Sequence, residues 1–141
     1  MADLILVVDD EPRVRSVLVR LLEREGYTVR QAESGEVALE DIDRQKPDMI
    51  LLDVTLPGLS GFDICRTVRQ KNACELLPIA LITGMSDSVS RIRGLEAGAD
   101  DFVSKPFEPE VLLARIRSLM RVKRLTDQLE RTENVIFAIA R

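Results

Sequence analysis

Three short stretches of this chain are almost continuously apolar, Leu4 to Val8, Met49 to Leu52 and Ile79 to Ile82, and none alternates with polar residues. A strand wetted on one face alternates, whereas a strand covered on both faces does not, so these runs predict the inner strands of a parallel sheet with helices on either side. A weaker run at Thr28 to Ala32 and a short one at Phe102 to Val103 bring the strands to five. Between them apolar residues recur at helical spacing: Val14, Val17, Leu18, Leu21 and Leu22; Val37, Ala38 and Ile42; Phe62, Ile64, Cys65 and Val68; Ile92, Leu95 and Ala97. The pattern is strand then helix, repeated five times, which defines a doubly wound α/β fold. With 141 residues, one such domain is expected.

Residues at the predicted boundaries agree with this register. Pro12 suits a first helical turn, Ser34 suits an N-cap, and Ser60 with Asp63 has the spacing of a capping box. Gly26 and Gly98 stand where the first and fourth helices should end.

In such a sheet all strands point one way, so residues at the ends of the apolar runs collect along one edge, where α/β proteins bind ligands. Asp9, Asp10, Asp53, Thr83 and Lys105 all fall there. Two like charges about 4 Å apart repel by roughly 1 kcal/mol in water and about 4 kcal/mol at an effective dielectric near 20, so three acids need a cation. Lys105 supplies one positive charge against three negative ones, and the remainder matches one divalent ion. Oxygen-only ligands with room for water favour Mg²⁺ or Mn²⁺. A metal, a lysine and a hydroxyl around a carboxylate point to phosphoryl chemistry: Lys105 and the ion neutralise the phosphoryl oxygens, Thr83 hydrogen-bonds one of them, and Asp53 attacks. The chain contains no histidine, which excludes a Ser-His-Asp triad, a histidine-bound zinc and a phosphohistidine of its own. It has no nucleotide-binding glycine loop either, so the phosphoryl group must arrive on another molecule.

Composition narrows the remaining classes. A hydrophobic share of 45%, a charged share of 31% and a net charge of -4 suit a soluble globule and argue against a nucleic-acid surface on this domain. The opening M-A-D-L-I-L-V-V-D-D has no basic flank and too short an apolar run for a signal peptide or membrane span, so a cytoplasmic location is expected. Cys65 and Cys74 form no metal or redox motif and are expected to be reduced thiols.

Asp9-Asp10-Glu11-Pro12, L-L-D-V-T-L-P-G-L-S-G from Leu51 to Gly61, Ile82-Thr83-Gly84 and D-D-F-V-S-K-P-F from Asp100 to Phe107 occur in the order and spacing of a known family. The chain resembles the receiver domain of two-component response regulators over about residues 1–122. The resemblance implies a flavodoxin-like, CheY-like five-stranded parallel sheet of order 2-1-3-4-5. It also implies a histidine kinase or histidine phosphotransfer protein as donor and Mg²⁺ as cofactor. By position, Asp53 matches the phosphoacceptor. Asp10, Asp53 and the backbone carbonyl of Thr55 match the direct metal ligands, and Asp9 matches a ligand acting through water. Lys105 pairs with the phosphoryl group in that family, Thr83 moves toward it, and the aromatic at Phe102 turns inward, altering the surface of the fourth helix, fifth strand and fifth helix. Phe102 replaces the commoner tyrosine and Ser60 replaces an acidic residue. Thr55 and Met85 occupy the positions that govern water access to the phosphorylated site. The bond before Pro106 is often cis in the family, although the sequence permits either isomer.

From Glu108 onward there is no glycine and only Pro109, at a helix's first turn, so one long helix is expected. Val122, Leu125, Leu129, Thr132, Ile136 and Ile139 alternate spacings of three and four, the seam of a parallel coiled-coil dimer, with a helix folded back on its own domain as the bland reading. Residues 123–141 would then be a helical linker to an output domain outside this sequence. The stretch resembles the linker of HD-GYP-type regulators. The leading reading is thus a signalling phosphoacceptor and not an enzyme in its own right. The alternatives are a phosphorylation-independent interaction module on the same fold, which would be expected to lack one of the acid, hydroxyl or lysine residues, and a hydrolase of the haloacid dehalogenase kind, whose aspartate motif fits poorly with Thr55 and Pro57.

Overall fold

The computed structural model describes residues 3–84 and 87–140, with all of their side chains except those of Phe137 and Ala140. Its elements alternate as β1 (Leu4–Val8), α1 (Pro12–Arg24), β2 (Thr28–Ala32), α2 (Gly35–Arg44), β3 (Met49–Asp53), α3 (Gly61–Gln70), β4 (Ile79–Thr83), α4 (Ser88–Glu96), β5 (Asp101–Ser104) and α5 (Pro109–Ala140). The sheet is parallel throughout, in the order β2-β1-β3-β4-β5. The parallel sheet was expected from the continuous apolar runs, and its flavodoxin-like order from the family resemblance. Asp53 and Thr83 are the last residues of their strands, paired in register with Ile82 and Ser104, and do not lie one step beyond the sheet.

Alternate residues of each inner strand feed two cores. Ile5, Val7, Leu51 and Ile82 face Leu18 and Leu22 of α1 and Leu112, Ile116 and Met120 of α5. Leu6, Leu52 and Leu81 face α2, α3 and the Phe102 ring on the other side. Burying a side chain of this size contributes roughly 1.5–3 kcal/mol, so these layers outweigh every surface pair in the molecule.

The helix starts follow the local chemistry. Pro12 opens α1, the Ser34 hydroxyl accepts from Val37 N, and Ser60 and Asp63 form a complete capping box. Asp87, not foreseen as a cap, accepts from Ser90 N at 2.7 Å and opens α4. Gly26 and Gly98 end α1 and α4 with positive φ angles of 90° and 102°. At the second of these Arg69 closes the turn, donating from Nε to the Gly98 carbonyl and pairing with Asp100 at 2.8 Å.

Helix α4 departs from expectation. Of Ile92, Leu95 and Ala97, only Ala97 is buried, while Ile92 and Leu95 are 53% and 62% exposed. The helix packs through Ser90, Gly94 and Ala97 instead. A Cβ at Gly94 would stand 3.0 Å from Leu81 Cδ1 and 3.2 Å from Phe102 Cδ2, so a small-residue face brings α4 close to the sheet and turns the large aliphatic residues outward. Val17 and Val37 are likewise exposed, because the inward stripes of α1 and α2 are narrower than the sequence periods.

Gly61 sets the approach of α3. Its N–H donates to the Val54 carbonyl at 2.8 Å, and an added Cβ would lie 2.7 Å from Val54 Cα and closer still to the Asp53 carbonyl. Gly61→Ala should therefore destabilise the protein by about 1–3 kcal/mol through overpacking, read as a lower urea midpoint at unchanged slope. An unaltered midpoint would mean that α3 can slide away from the β3 tip without penalty.

Candidate functional site

The residues singled out at the strand ends converge. Asp9, just past β1, and Asp53, closing β3, are 1% and 4% exposed, whereas Asp10 is exposed. One carboxylate oxygen from each of the three lies within 4.8 Å of the others. Lys105, just past β5, reaches the cluster with Nζ at 3.1 Å from Asp9 Oδ2 and 3.4 Å from Asp53 Oδ2. Thr83 is fully buried at the end of β4. The Lys105–Pro106 bond is cis.

Backbone groups hold the acids. Glu11 N donates to Asp9 Oδ1 at 2.9 Å, Thr55 N donates to Asp53 Oδ1 at 3.2 Å, and Asp9 N continues the sheet to the Ala32 carbonyl at 3.1 Å. Arg15, absent from the residues picked out by sequence, donates from Nη1 to the Asp9 carbonyl at 2.7 Å. Its signal would have been a cation one turn into the helix that follows the acidic pair.

The Asp53 carboxyl is pushed up from 3.8 to about 6, first by burial and then by the Asp9 charge, against the lowering effects of Lys105 and the Thr55 N–H. For Lys105 burial acts downward, but its hydrogen bond to Asp9 and the charge of Asp53 raise it overall, so it stays protonated. One ammonium facing three carboxylates leaves a negative excess of two. The donors are all oxygens, and the exposed Asp10 gives the site access to water, so Asp9, Asp10 and Asp53 fit a hard divalent cation of the Mg²⁺ type. Cys65 is buried, with its thiol pushed up to about 11, and is chemically quiet.

Phe102 lies beside the site with its ring buried between the sheet and α4 and the Arg91 guanidinium 5.5 Å from its centroid. Thr55 is exposed in the loop after β3. Met85 lies outside the described residues.

A parallel α/β sheet with acids at two strand tips and a lysine from a third is the architecture of a signal receiver, and sequence comparison agrees. Residues 5–117 match the response regulator receiver domain, and the chain belongs to that family. Among its relatives, the regulatory protein VanR of Enterococcus faecium is 42% identical over 137 residues, 96% of this chain and 58% of that protein. The alkaline phosphatase synthesis transcriptional regulatory protein PhoP of Bacillus subtilis is 43% identical over 117 residues, 83% of this chain and 48% of its own length. The chain thus spans about half the length of the curated relatives it matches. A crystal structure of a response regulator from Chloroflexus aurantiacus superposes with a TM-score of 0.83 at 40% identity, covering 86% of this chain and 99% of that one. Response regulators of this family receive their signal from a histidine kinase or phosphotransfer protein and bind Mg²⁺ at an acidic pocket. No helix among the described residues is long and apolar enough to cross a membrane.

The raised Asp53 pKa fixes the sign of a pH effect. Between about pH 4 and 6 the native state keeps a proton that the unfolded chain has released, so this group's penalty is absent below pH 4, grows between pH 4 and 6 and is complete above that. Without metal at pH 7.5, Asp53→Asn should be more stable than the parent by up to roughly 3 kcal/mol, and the gap should shrink at pH 5. Added Mg²⁺ should narrow it by stabilising the parent alone. Urea unfolding in EDTA at the two pH values, then with Mg²⁺, checks this; a parent more stable than the variant at pH 7.5 in EDTA would contradict the clustering of like charges.

Proposed function

We propose that this chain is the phosphoacceptor module of a longer response regulator, with Asp53 as the residue that takes the phosphoryl group. The observation that carries the reading is a buried carboxylate at the β3 tip, held by Thr55 N–H and facing the Lys105 ammonium within a three-acid pocket. An Asp53 carboxylate oxygen attacks phosphorus as the bond to the donor's imidazole nitrogen breaks. The imidazole keeps that electron pair and is neutralised by a proton, and Asp53 becomes an acyl phosphate. Lys105, no longer needed to offset the lost carboxylate charge, pairs with a phosphoryl oxygen. Thr83, at the tip of the adjacent strand, is the hydroxyl placed to hydrogen-bond another. Asp10, Asp53 and the Thr55 carbonyl would hold Mg²⁺ directly, with Asp9 behind them through water. When bound, the ion supplies the positive charge that lets an anionic nucleophile meet an anionic phosphoryl group. The chain assists its own modification and is not an enzyme acting on a separate product. The full set of acids, hydroxyl and lysine favours this over a module that works by binding alone.

Modification at Asp53 replaces one negative charge with a larger group of about two and draws Lys105 and Thr83 toward it. Phe102 sits two residues before β5 ends, against α4, and is the side chain placed to couple that movement to the α4-β5-α5 surface. The receiver proper would comprise residues 1–122 and the linker 123–141. Burial along α5 stops at Met120, and Val122, Leu125, Leu129, Ile136 and Ile139 are all exposed on a seam with spacing near 3.5, which supports a parallel dimer. The VanR alignment extends over 137 residues and so includes most of this helix, and PhoP is named as a transcriptional regulator. These relatives favour a DNA-binding output over the HD-GYP kind.

Incubation with acetyl phosphate and Mg²⁺ should add one labile phosphoryl group by intact mass. The gain should be absent in Asp53→Asn and in EDTA, and slowed by about a hundredfold in Lys105→Met. A gain that persists in Asp53→Asn would move the acceptor elsewhere. In light scattering the parent should be a dimer and Leu129→Glu a monomer; equal masses would remove the coiled coil.

A further inference from the structure

We propose that Arg15 is a positioning residue for the divalent-ion site: it grips the peptide joining Asp9 to Asp10 and so keeps the exposed Asp10 carboxylate turned into the pocket. This rests on the reading of the acidic pocket as the Mg²⁺ site. Strand β1 ends at Val8, and Asp9 N makes the last bond to β2. The Asp9 carbonyl, which belongs to the Asp9–Asp10 peptide, lies beyond that rung, and Arg15 Nη1 donates to it at 2.7 Å. The same guanidinium donates from Nε to Gln31 Oε1 at 3.1 Å, so it bridges the β1–α1 loop to the end of β2. The Asp9 side chain is already committed to Glu11 N and Lys105 Nζ. With its N–H, carbonyl and both carboxylate oxygens engaged, Asp9 is fixed, and the direction in which the chain leaves it decides where Asp10 points.

That direction is contested by electrostatics. The three carboxylates repel, Asp10 is the exposed one, and in the metal-free protein the cheapest relief is for the loop to swing it into solvent. The planar fork of an arginine resists this because its two donor edges engage acceptors on different strands at once, which a lysine ammonium on a flexible stem does less well.

A positioning role and a simple charge role predict opposite signs. Removing a cation beside an anionic pocket should tighten Mg²⁺, whereas releasing the loop should weaken it. Calorimetric titration of the full chain with Mg²⁺ should give Arg15→Met a dissociation constant about tenfold higher than the parent's, the usual scale for groups that orient metal ligands. Arg15→Lys should recover part of the loss. Arg13→Met, which removes the same charge from the same helix, should bind as tightly as the parent or more so. Gln31→Ala, which leaves the bond to Asp9 intact, should weaken binding in the same direction by a smaller factor, and it keeps the question answerable if Arg15→Met folds poorly. Phosphorylation of Arg15→Met should return to the parent rate at saturating Mg²⁺. Equal or tighter Mg²⁺ binding by Arg15→Met, or no change in Gln31→Ala, overturns the role of Arg15. A parent that takes up no Mg²⁺ overturns the site itself.

Discussion

Everything distinctive in this domain follows from the enforced proximity of like charges. Asp9 and Asp53 close adjacent strands of a sheet whose interior is sealed on both faces, and at 1% and 4% exposure neither can relax into water without unpicking a strand end. Burial and the neighbouring Asp9 charge together hold the Asp53 carboxyl at about 6, an opposition to folding of up to roughly 3 kcal/mol at neutral pH, more than any one surface ion pair returns. The sheet is what makes this tolerable, because its two apolar layers supply the stability that the pocket consumes. The same crowding suits the acidic pocket to a divalent cation, whose charge would offset the repulsion among its oxygens.

Close approach of backbone does the rest, and it depends on two glycines. Gly61 lets the first turn of α3 rest on the Asp53–Val54 backbone, so the β3 tip that carries Asp53 is braced from behind. Gly94 lets α4 lie against Leu81 and the Phe102 ring. At both positions a Cβ would press on its neighbours, so each contact depends on the missing side chain. The Arg91 guanidinium, 5.5 Å from the Phe102 centroid, adds a cation–π contact on that ring.

The strands and the converging acids were legible because each rests on a periodicity or a fixed offset: continuous apolar runs mean two-sided burial, and a parallel sheet sends every run's end to one edge. The strand order came from the family resemblance and not from any period. Ser34, Ser60 with Asp63, Gly26 and Gly98 were legible for the same reason, as caps act over three or four residues. What escaped acts over long or variable separations. Arg15, Arg69 and Arg91 have flexible side chains that reach partners 6, 29 and 11 residues away, and no local pattern marks them. Helix α4 was misjudged because apolar spacing assumes that large residues face inward, whereas Gly94 makes contact through absence. The isomer at Pro106 was open in sequence and is cis in the structure.

Helix α5 begins beside the site. It starts four residues after Lys105 and runs for 32 residues, roughly 48 Å at 1.5 Å each. Two kinds of contact hold it. Leu112, Ile116 and Met120 are buried against the sheet, contributing several kcal/mol together, whereas Arg117–Glu25, Lys123–Asp48 and Arg124–Asp3 are partly exposed pairs each worth about 0–1 kcal/mol. Burial of that one stripe therefore fixes both the distance of the helix from the sheet and its rotation about its own axis, and the ion pairs add little to either. Past Met120 no described residue of the helix is buried, and Val122, Leu125 and Leu129 lie exposed, so weak ion pairs alone tie that stretch to the domain while the core holds the part before it.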